Sequence, residues 1–329
     1  MLIDNHARTI NYLRLAVTDR CNLRCFYCMP KNGIDYVPKA ALLTYEEMLR
    51  LLKIFASLGI SKIRITGGEP FVRKEMFSFI EKVAALNAIE QVHITTNGVF
   101  TAPYIPKFKA IGIKSVNLSL DSLDKQRFME ITRRDEFDAV MKSLELLIAN
   151  DIPTKINCVV MANKNEADIL PLVALTREKA IAVRFIEEMP FNGIGKRNSN
   201  IAWSYKKILN HIKQAYPQLT KIEDPPFSTS LNYQIPNYKG SVGVIPAYSR
   251  TFCGTCNRIR LTAKGEIKTC LYDNGIYSIR DLMRSGANNE TIKKSLLTVI
   301  GNRAKDGFEA EKIRNKNNPV SESMSTIGG

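Results

Sequence analysis

Short segments rich in Val, Ile and Thr alternate with helix-like segments through the first part of the chain. Such residues favour strands, and the predicted strands cover residues 12–17, 62–66, 92–96, 115–120, 155–160 and 182–186. A β–α repeat of this kind predicts a parallel sheet with right-handed crossovers. Six such strands fit either a doubly wound sheet or an incomplete barrel, and in both folds the ligand lies at the carboxyl ends of the strands.

The segments between these strands carry helix signals. Residues 44–58 repeat apolar side chains at helical spacing, and Thr44 with Glu47 forms a capping box at the start. Asn163 with Glu166 predicts a second helix start of the same kind. Beyond the last predicted strand the pattern weakens, and residues 217–240 are typical of a loop or hairpin. We expect a partial barrel over 1–200, a C-terminal domain over 201–311 and a charged, polar tail over 312–329.

Charge and composition narrow the class of protein. The chain has 47 Lys and Arg against 32 Asp and Glu, a net charge of +15. A solvated surface, a nucleic acid or a polyphosphate substrate could explain this surplus. Because there is one Trp and no basic run mixed with aromatics, we expect no nucleic-acid partner. No apolar run is long enough for a membrane span, and Asp4, His6 and Arg8 stand where a signal peptide would be apolar. We therefore expect a cytoplasmic protein with no membrane partner.

Seven cysteines in such a chain favour metal ligands or redox groups over disulfides. Cys158 stands alone in an apolar segment and is predicted to be a core residue. The other six form two groups of three, which are Cys21, Cys25 and Cys28, and Cys253, Cys256 and Cys270.

The first group lies in the loop after the first predicted strand. Its three thiolates can hold three corners of a cubane cluster and leave the fourth iron open to a substrate. A structural zinc site or an electron-transfer cluster would need a fourth protein ligand nearby. His6 is the nearest histidine in sequence, so these alternatives are less favoured. Gly67 and Gly68 follow the second strand, where a ligand can approach the backbone closely.

The second group leaves more alternatives open. A zinc site completed by Asp273, a redox pair of Cys253 and Cys256, and an iron–sulfur cluster all fit the spacing. Arg258 and Arg260 follow in a segment where alternate residues share one face of a strand. Two guanidinium groups side by side suit phosphate oxygens, which favours a cluster beside a phosphorylated substrate.

The C-x3-C-x2-C spacing of the first group resembles the radical S-adenosylmethionine superfamily. Further segments resemble, more specifically, the GTP 3′,8-cyclase family of that superfamily. They are residues 11–21, 63–70, 95–98, 119–121, 184–187, 253–262 and the terminal 327–329. This resemblance runs nearly end to end. It implies an incomplete (β/α)6 TIM-like barrel with a smaller C-terminal domain that carries a second iron–sulfur cluster.

The resemblance also implies cofactors and ligand contacts. The cofactors would be two [4Fe-4S] clusters, one on each cysteine group, and S-adenosylmethionine. The residues at matching cofactor positions are Tyr27, Gly68, Ser119 and Met189. The residues at matching GTP positions are Arg14, Arg64, Thr95, Lys155, Arg184, Arg258 and Arg260. The terminal Gly328 and Gly329 would enter the cavity beside the basic residues.

The reaction implied by the resemblance is the first step of molybdenum cofactor biosynthesis. A 5′-deoxyadenosyl radical would take the ribose 3′-hydrogen of GTP, and the carbon radical would attack C8 of guanine to give 3′,8-cyclo-7,8-dihydro-GTP. The partners implied are GTP, an external electron donor and the downstream cyclic pyranopterin monophosphate synthase, and the resemblance allows a homodimer. Two alternatives remain, a peptide-modifying radical enzyme with an auxiliary cluster and a zinc-binding nucleic-acid module.

Overall fold

The computed structural model describes residues 1–192, 201–275, 277–314 and 322–328. Within these residues the strands form one twelve-stranded sheet in the order β12-β11-β10-β1-β2-β3-β4-β5-β6-β9-β8-β7. The strands are β1 Tyr12–Ala16, β2 Lys62–Thr66, β3 Gln91–Thr96, β4 Ile113–Ser119, β5 Thr154–Val160, β6 Ala182–Glu187, β7 Thr220–Lys221, β8 Leu231–Gln234, β9 Ser241–Ile245, β10 Arg258–Leu261, β11 Glu266–Lys268 and β12 Tyr277–Ser278. The α-helices are α1 Tyr45–Ser57, α2 Met76–Ala84, α3 Ile105–Phe108, α4 Lys125–Thr132, α5 Phe137–Ala149, α6 Ile169–Leu175, α7 Tyr205–Ala215, α8 Ile279–Arg284, α9 Asn289–Gly301, α10 Gly307–Ile313 and α11 Met324–Ile327.

Strands β1 to β6 are parallel neighbours in chain order, with helices in the connections between them. This confirms the predicted α/β fold and all six predicted strands, whose ends agree to within two residues. Over the described residues the sheet does not close on itself, as expected of an incomplete barrel. Residues 217–240 do contain a hairpin strand pair, β7 and β8. Among the described residues no helix is both long and apolar enough to cross a membrane.

The segment after β6 extends this sheet at both edges. Strand β9 adds parallel to β6, and β10 adds parallel to β1. The sequence did not predict β9. It did predict a strand at Arg258 and Arg260, but not that this strand pairs with β1. The sheet therefore runs across the predicted boundary at residue 200, and the proposed division into three segments stays a prediction.

The two faces of the sheet differ in polarity. Leu13, Ile63 and Ile259 point to the helix side, where they pack with α1 residues such as Phe55 in the larger core cluster. Parallel sheets covered by helices are usually apolar on both faces. Here alternate residues on the opposite face are polar or basic and line a cavity, so this face holds the candidate site.

The two predicted helix starts have different outcomes. The capping box of α1 is present, because the Thr44 hydroxyl accepts from the amide of Glu47 at 3.2 Å and the Glu47 carboxylate accepts from the amide of Thr44 at 2.8 Å. The start at Asn163 is wrong. Asn163 has a positive φ of 57°, and the Glu166 carboxylate accepts from the backbone amides of residues 163 and 164. A tight turn therefore precedes the helical segment, which begins at Glu166.

Ile259→Ala tests whether β10 belongs to the barrel core. Ile259 is fully buried, so we expect the substitution to lower the free energy of unfolding by about 2–5 kcal/mol. The matched control is Leu297→Ala, whose side chain is exposed and whose loss should cost less than about 0.5 kcal/mol. Urea unfolding followed by circular dichroism measures both values. Equal small effects would mean that β10 is only loosely attached.

Candidate active site

A cavity of about 460 Å³ lies inside the barrel. Every cysteine of the two groups lines it, together with every residue predicted for the cofactor or the substrate. These are Tyr27, Gly68, Ser119 and Met189 for the cofactor, and Arg14, Arg64, Thr95, Lys155, Arg184, Arg258 and Arg260 for the substrate. Residues that are distant in sequence thus converge on one space, as a single active site requires. Gly329 lies outside the described residues.

The two cysteine groups lie at opposite ends of this cavity. Cys21, Cys25 and Cys28 follow β1, whereas Cys256 precedes β10, which runs parallel to β1. The carboxyl end of the barrel therefore carries the first group, and the amino end carries the second. A molecule bound between them would contact both groups.

Burial controls the chemistry of the first group. It raises the pKa of the Cys21 thiol to about 12 and raises the pKa values of Cys25 and Cys28 as well. These thiols keep their protons until a cation replaces them, which is how a metal cluster binds. The Asn97 amide lies 3.7 Å from the Cys21 sulfur, so one hydrogen-bond donor already faces this group.

Tyr27 and Asp121 connect this loop to the barrel. The Tyr27 hydroxyl donates to one carboxylate oxygen of Asp121 at 2.8 Å, and the other oxygen accepts from the amide of Val159 at 2.8 Å. Burial raises the pKa of Asp121 to about 6. The loop with the cysteines is thus fixed to β4 and β5, where Ser119 lies.

The paired glycines after β2 have a packing reason in addition to ligand access. A side chain on Gly68 would meet the carbonyl oxygen of Arg20 at 2.2 Å, and one on Gly67 would meet the carbonyl oxygen of Thr18 at 2.5 Å. The amides of Gly68 and Glu69 donate to those same carbonyls at 2.8 Å. Only glycine allows this close approach, which holds the segment before Cys21 against β2.

The second cysteine group has a different electrostatic setting. Burial would raise the pKa of Cys256, but the positive charges of Arg258 and Arg303 lower it to about 6. The Arg303 guanidinium donates to the Cys256 sulfur at 3.0 Å, and the Arg258 side chain donates to it at 3.4 Å. This thiol is therefore prepared as a thiolate, the form that binds metal.

Asp273 does not act as a free fourth ligand. Its carboxylate accepts from the amides of Thr269 at 2.6 Å, Cys270 at 2.8 Å and Gly275 at 3.0 Å. It holds the turn that carries Cys270. The zinc site completed by Asp273, one of the alternatives from the sequence, is not supported.

Both groups present three thiols to the cavity, a donor set that an iron–sulfur cluster uses. Within the described part of the chain, no three side chains of His, Cys, Asp and Glu converge on a position for a single ion. In a cubane cluster each thiolate binds a different iron, so the sulfurs need not converge. The donor sets at both ends of the cavity fit such a cluster.

A layer of cations lies between the two groups. In the strand register, Arg14 on β1 is paired with Arg64 on β2 and with Arg260 on β10. Burial, followed by repulsion from neighbouring arginines, lowers the pKa of each of four cations in this layer. The pKa is about 9 for Arg14, about 10 for Arg184 and Arg260, and about 8 for Lys155. Such mutual repulsion makes the empty cavity unfavourable and selects a multiply charged anion.

Arg64 already has protein partners in this layer. Its Nε donates to the Tyr12 hydroxyl at 2.6 Å, and its Nη1 donates to the carbonyl of Ile94 at 3.1 Å and lies 3.4 Å from the Thr95 hydroxyl. Burial would raise the pKa of Tyr12, but Arg64 and Arg14 lower it to about 7. The Tyr12 hydroxyl is thus a hydrogen-bond acceptor for one cation of this layer.

Sequence reasoning missed several residues of the cavity. Tyr12, Lys62, Asn117 and Asn157 all line it. The side-chain oxygens of both asparagines are buried with no hydrogen-bond partner among the described residues, so they are available to a ligand. The missed signal is strand parity, because Tyr12 and Lys62 each stand two residues before a predicted arginine and must share its face.

The end of the chain docks against the site. Helix α11 begins after Ser323, whose hydroxyl donates to the carbonyl of Cys28 at 2.7 Å. Arg260 donates to the carbonyl of Gly328. Glu322 pairs with the fully buried Lys268 at 2.8 Å. The last described residues therefore connect the loops of both cysteine groups, although their composition is typical of a mobile terminus.

The cation layer predicts a measurable response to polyanions. Tripolyphosphate should raise the free energy of unfolding of the metal-free protein at pH 7, by about 2.7 kcal/mol at one hundred times its dissociation constant. Arg184→Gln should stabilise the ligand-free protein, because it relieves repulsion, and should reduce the response. Arg50→Gln, at a surface arginine bonded to Asn289, is the control. Thermal unfolding with and without tripolyphosphate tests this, and equal responses in all three proteins would contradict it.

Comparison with known proteins places the chain in a family. Residues 15–176 match the Radical SAM superfamily, and residues 181–308 match the family described as Molybdenum Cofactor Synthesis C. The GTP 3′,8-cyclase of Desulforamulus reducens is 38% identical over 338 residues, covering 100% of both chains. Molybdenum cofactor biosynthesis protein 1 of Bos taurus is 40% identical over 319 residues, covering 96% of this chain and 50% of that protein. The chain thus spans about half the length of the bovine relative.

The fold has a solved counterpart. SuiB of Streptococcus suis, in its structure bound to S-adenosylmethionine, superposes with a TM-score of 0.59 at 14% identity, covering 94% of this chain and 69% of that chain. This likeness supports the partial barrel alone. The family itself is shown by the two family matches and by the relative that is matched over its full length. The chain belongs to the GTP 3′,8-cyclase family of the radical S-adenosylmethionine superfamily.

Proposed function

We propose that this protein converts GTP to 3′,8-cyclo-7,8-dihydro-GTP, the first step of molybdenum cofactor biosynthesis. One observation carries the proposal. Two groups of three cysteines lie at opposite ends of one cavity, and a layer of buried cations lies between them. A nucleoside triphosphate has about the charge that this layer needs, since arginine pairs well with phosphate oxygens. Its base can then extend to one cysteine group and its ribose to the other.

The first group would hold the catalytic [4Fe-4S] cluster and the second group an auxiliary one. When bound, the first cluster and S-adenosylmethionine supply the one-electron chemistry that removes the ribose 3′-hydrogen. Tyr27, Gly68, Ser119 and Met189 are proposed to position S-adenosylmethionine. The second cluster would face the guanine base.

The chain's own side chains bind and orient the substrate. Lys155 and Arg184 lie on neighbouring strands and face the cavity, so both can contact the triphosphate. Arg184 Nε is buried without a hydrogen-bond partner in the described part of the chain, which suits an anion that completes the site. Thr95, Arg14, Arg64, Arg258 and Arg260 complete the proposed substrate contacts. Fixing the ribose by its phosphates brings the 3′-carbon and C8 of guanine into a reactive arrangement.

The partners extend this proposal. The protein needs an external electron donor, because none of its proposed groups supplies electrons for repeated turnover. Its product would pass to cyclic pyranopterin monophosphate synthase, and a homodimer is compatible with the proposal. We place the reaction in the cytoplasm, a reducing compartment that keeps six cluster cysteines as thiols.

The composition of the cavity supports a nucleotide over the main alternative. A peptide-modifying radical enzyme would need a groove for a peptide, whereas this cavity has arginines 14, 64, 258 and 260 on its walls. The deciding experiment is anaerobic incubation of the reconstituted protein with S-adenosylmethionine, dithionite and GTP. Formation of 5′-deoxyadenosine together with the cyclised nucleotide is expected. Formation of 5′-deoxyadenosine without any nucleotide product would contradict the substrate assignment.

Cys25→Ser is expected to abolish formation of 5′-deoxyadenosine, because two thiolates cannot hold the proposed cluster. The matched control is Cys158→Ser, which changes the one cysteine that is fully buried in the core and outside both groups. The control should keep its clusters and its activity. Chromatography of the nucleoside products measures the effect, and full activity of the Cys25 variant would remove the first group from the mechanism.

Deletion of Gly328 and Gly329 is expected to leave both clusters and cleavage of S-adenosylmethionine largely intact while the cyclised product falls about a hundredfold. The reason is that Arg260 loses its contact with the end of the chain, so the substrate is misplaced. Lys312→Ala, at an exposed position, is the control. Both products are measured in one reaction. An unchanged ratio of 5′-deoxyadenosine to cyclised nucleotide would mean that the terminal glycines are dispensable.

A further inference from the structure

Arg303 is a buried arginine whose position the proposed function does not explain. Its side chain is 3% exposed and lies after α9, far in sequence from every cysteine. One terminal nitrogen, Nη2, donates to the Cys256 sulfur at 3.0 Å. The other, Nη1, donates to the carbonyl of Cys256 at 3.1 Å. The guanidinium group thus contacts both the side chain and the backbone of one cysteine.

The first residues of the chain hold Arg303 in place. Asp4 pairs with its Nη1 at 3.5 Å, and the Asp4 carboxylate is fully buried. Arg8 pairs with the same carboxylate at 2.7 Å and donates to the carbonyls of Cys253 at 3.3 Å and Ala304 at 3.0 Å. The ring of His6 lies 2.9 Å from the carbonyl of Arg303. We call Asp4, His6 and Arg8 the N-terminal clamp.

This arrangement differs from that of the substrate arginines. Both terminal nitrogens of Arg303 donate to Cys256, Nη1 also faces the Asp4 carboxylate, and Nε has no hydrogen-bond partner among the described residues. A phosphate at this position would have to compete with the sulfur and the carbonyl of Cys256 for these two nitrogens. Arg303 therefore fits a role toward Cys256 better than a role toward the triphosphate.

We propose that Arg303 is a positioning residue of the second cluster, where it donates a hydrogen bond to the Cys256 thiolate and favours the reduced cluster, and that the N-terminal clamp fixes it there. The inference rests on the proposed function, since it requires a cluster on Cys253, Cys256 and Cys270. A reduced cluster carries one more negative charge than an oxidised one. A cationic N–H donor to a cluster sulfur therefore raises the reduction potential, as other hydrogen bonds around metal ligands do.

The test measures the reduction potential of each cluster separately. Arg303→Gln and Arg303→Lys are made in a Cys25→Ser background, where the second cluster alone is loaded, and in a Cys256→Ser background, where the first alone is loaded. Redox titrations followed by electron paramagnetic resonance are run without GTP. Arg314→Gln is the matched control, because Arg314 is also buried beside the second group but donates to the carbonyl of Asp273.

Arg303→Gln is expected to lower the equilibrium constant for reduction of the second cluster about tenfold, a shift of about 59 mV to more negative potential for one electron. Arg303→Lys should give an intermediate value, because it keeps the charge and loses the forked geometry. The first cluster and the Arg314 control should be unchanged. If the glutamine variant does not load its cluster, the lysine variant carries the same comparison.

Other outcomes overturn the inference. Unchanged potentials in both variants would show that Arg303 does not act on the cluster. Equal shifts at both clusters would indicate a general disturbance of the fold. GTP binding to the parent and to the Arg303→Gln protein is measured separately by calorimetry, and a much weaker affinity with an unchanged potential would make Arg303 a substrate ligand. Each of these outcomes concerns the Arg303 variants. If the parent protein still loads two clusters and forms the cyclised nucleotide, the inference fails while the proposed function stands. A parent protein that loads no second cluster would overturn both.

Discussion

The buried layer of cations inside the barrel is the constraint on which the rest of the structure depends. Arginines at matching register positions on β10, β1 and β2 lie side by side, and burial and mutual repulsion lower the pKa values of Arg14 and Arg260. A protein keeps such an arrangement only if another charge offsets it. Among the described residues, Tyr12 interacts with this layer, and its phenol has a lowered pKa. The triphosphate of the proposed substrate would supply further negative charge to the cavity.

Strand β10 connects the cation layer to the second cysteine group. It pairs with β1, carries Arg258 and Arg260 on the cavity side and begins two residues after Cys256. One short segment thus positions a proposed metal ligand and two proposed substrate ligands at once. The terminal residues add a second connection, because Glu322 contacts Lys268 near the second group and Ser323 contacts Cys28 in the first. The two ends of the cavity are in this way coupled by direct contacts.

The N-terminal residues and Arg303 form a second group of buried charges, next to the second cysteine group. The buried charges around Arg303 include an opposite charge, because Asp4 lies between Arg8 and Arg303. Such sets are costly to break, since removing one member leaves the others unpaired. They fix the loop of Cys253 and Cys256 on one side, while Arg258, a proposed substrate contact, approaches Cys256 from the cavity.

The sequence by itself determined the six parallel strands, the position of the first cysteine loop after β1, and the family. These features follow from local patterns, namely β-branched runs, the capping box at Thr44 and the cysteine spacing. The tertiary structure decided what local patterns do not encode. In the folded protein Asp273 holds the turn of Cys270, and the helical segment begins at Glu166 and not at Asn163. Strand β10, Arg303 and the end of the chain all lie at the site. The physical reason is that each of these roles depends on hydrogen bonds or strand pairing that form only when the chain packs. Contacts between residues as distant as Arg303 and Asp4 have no signature in the sequence around either one.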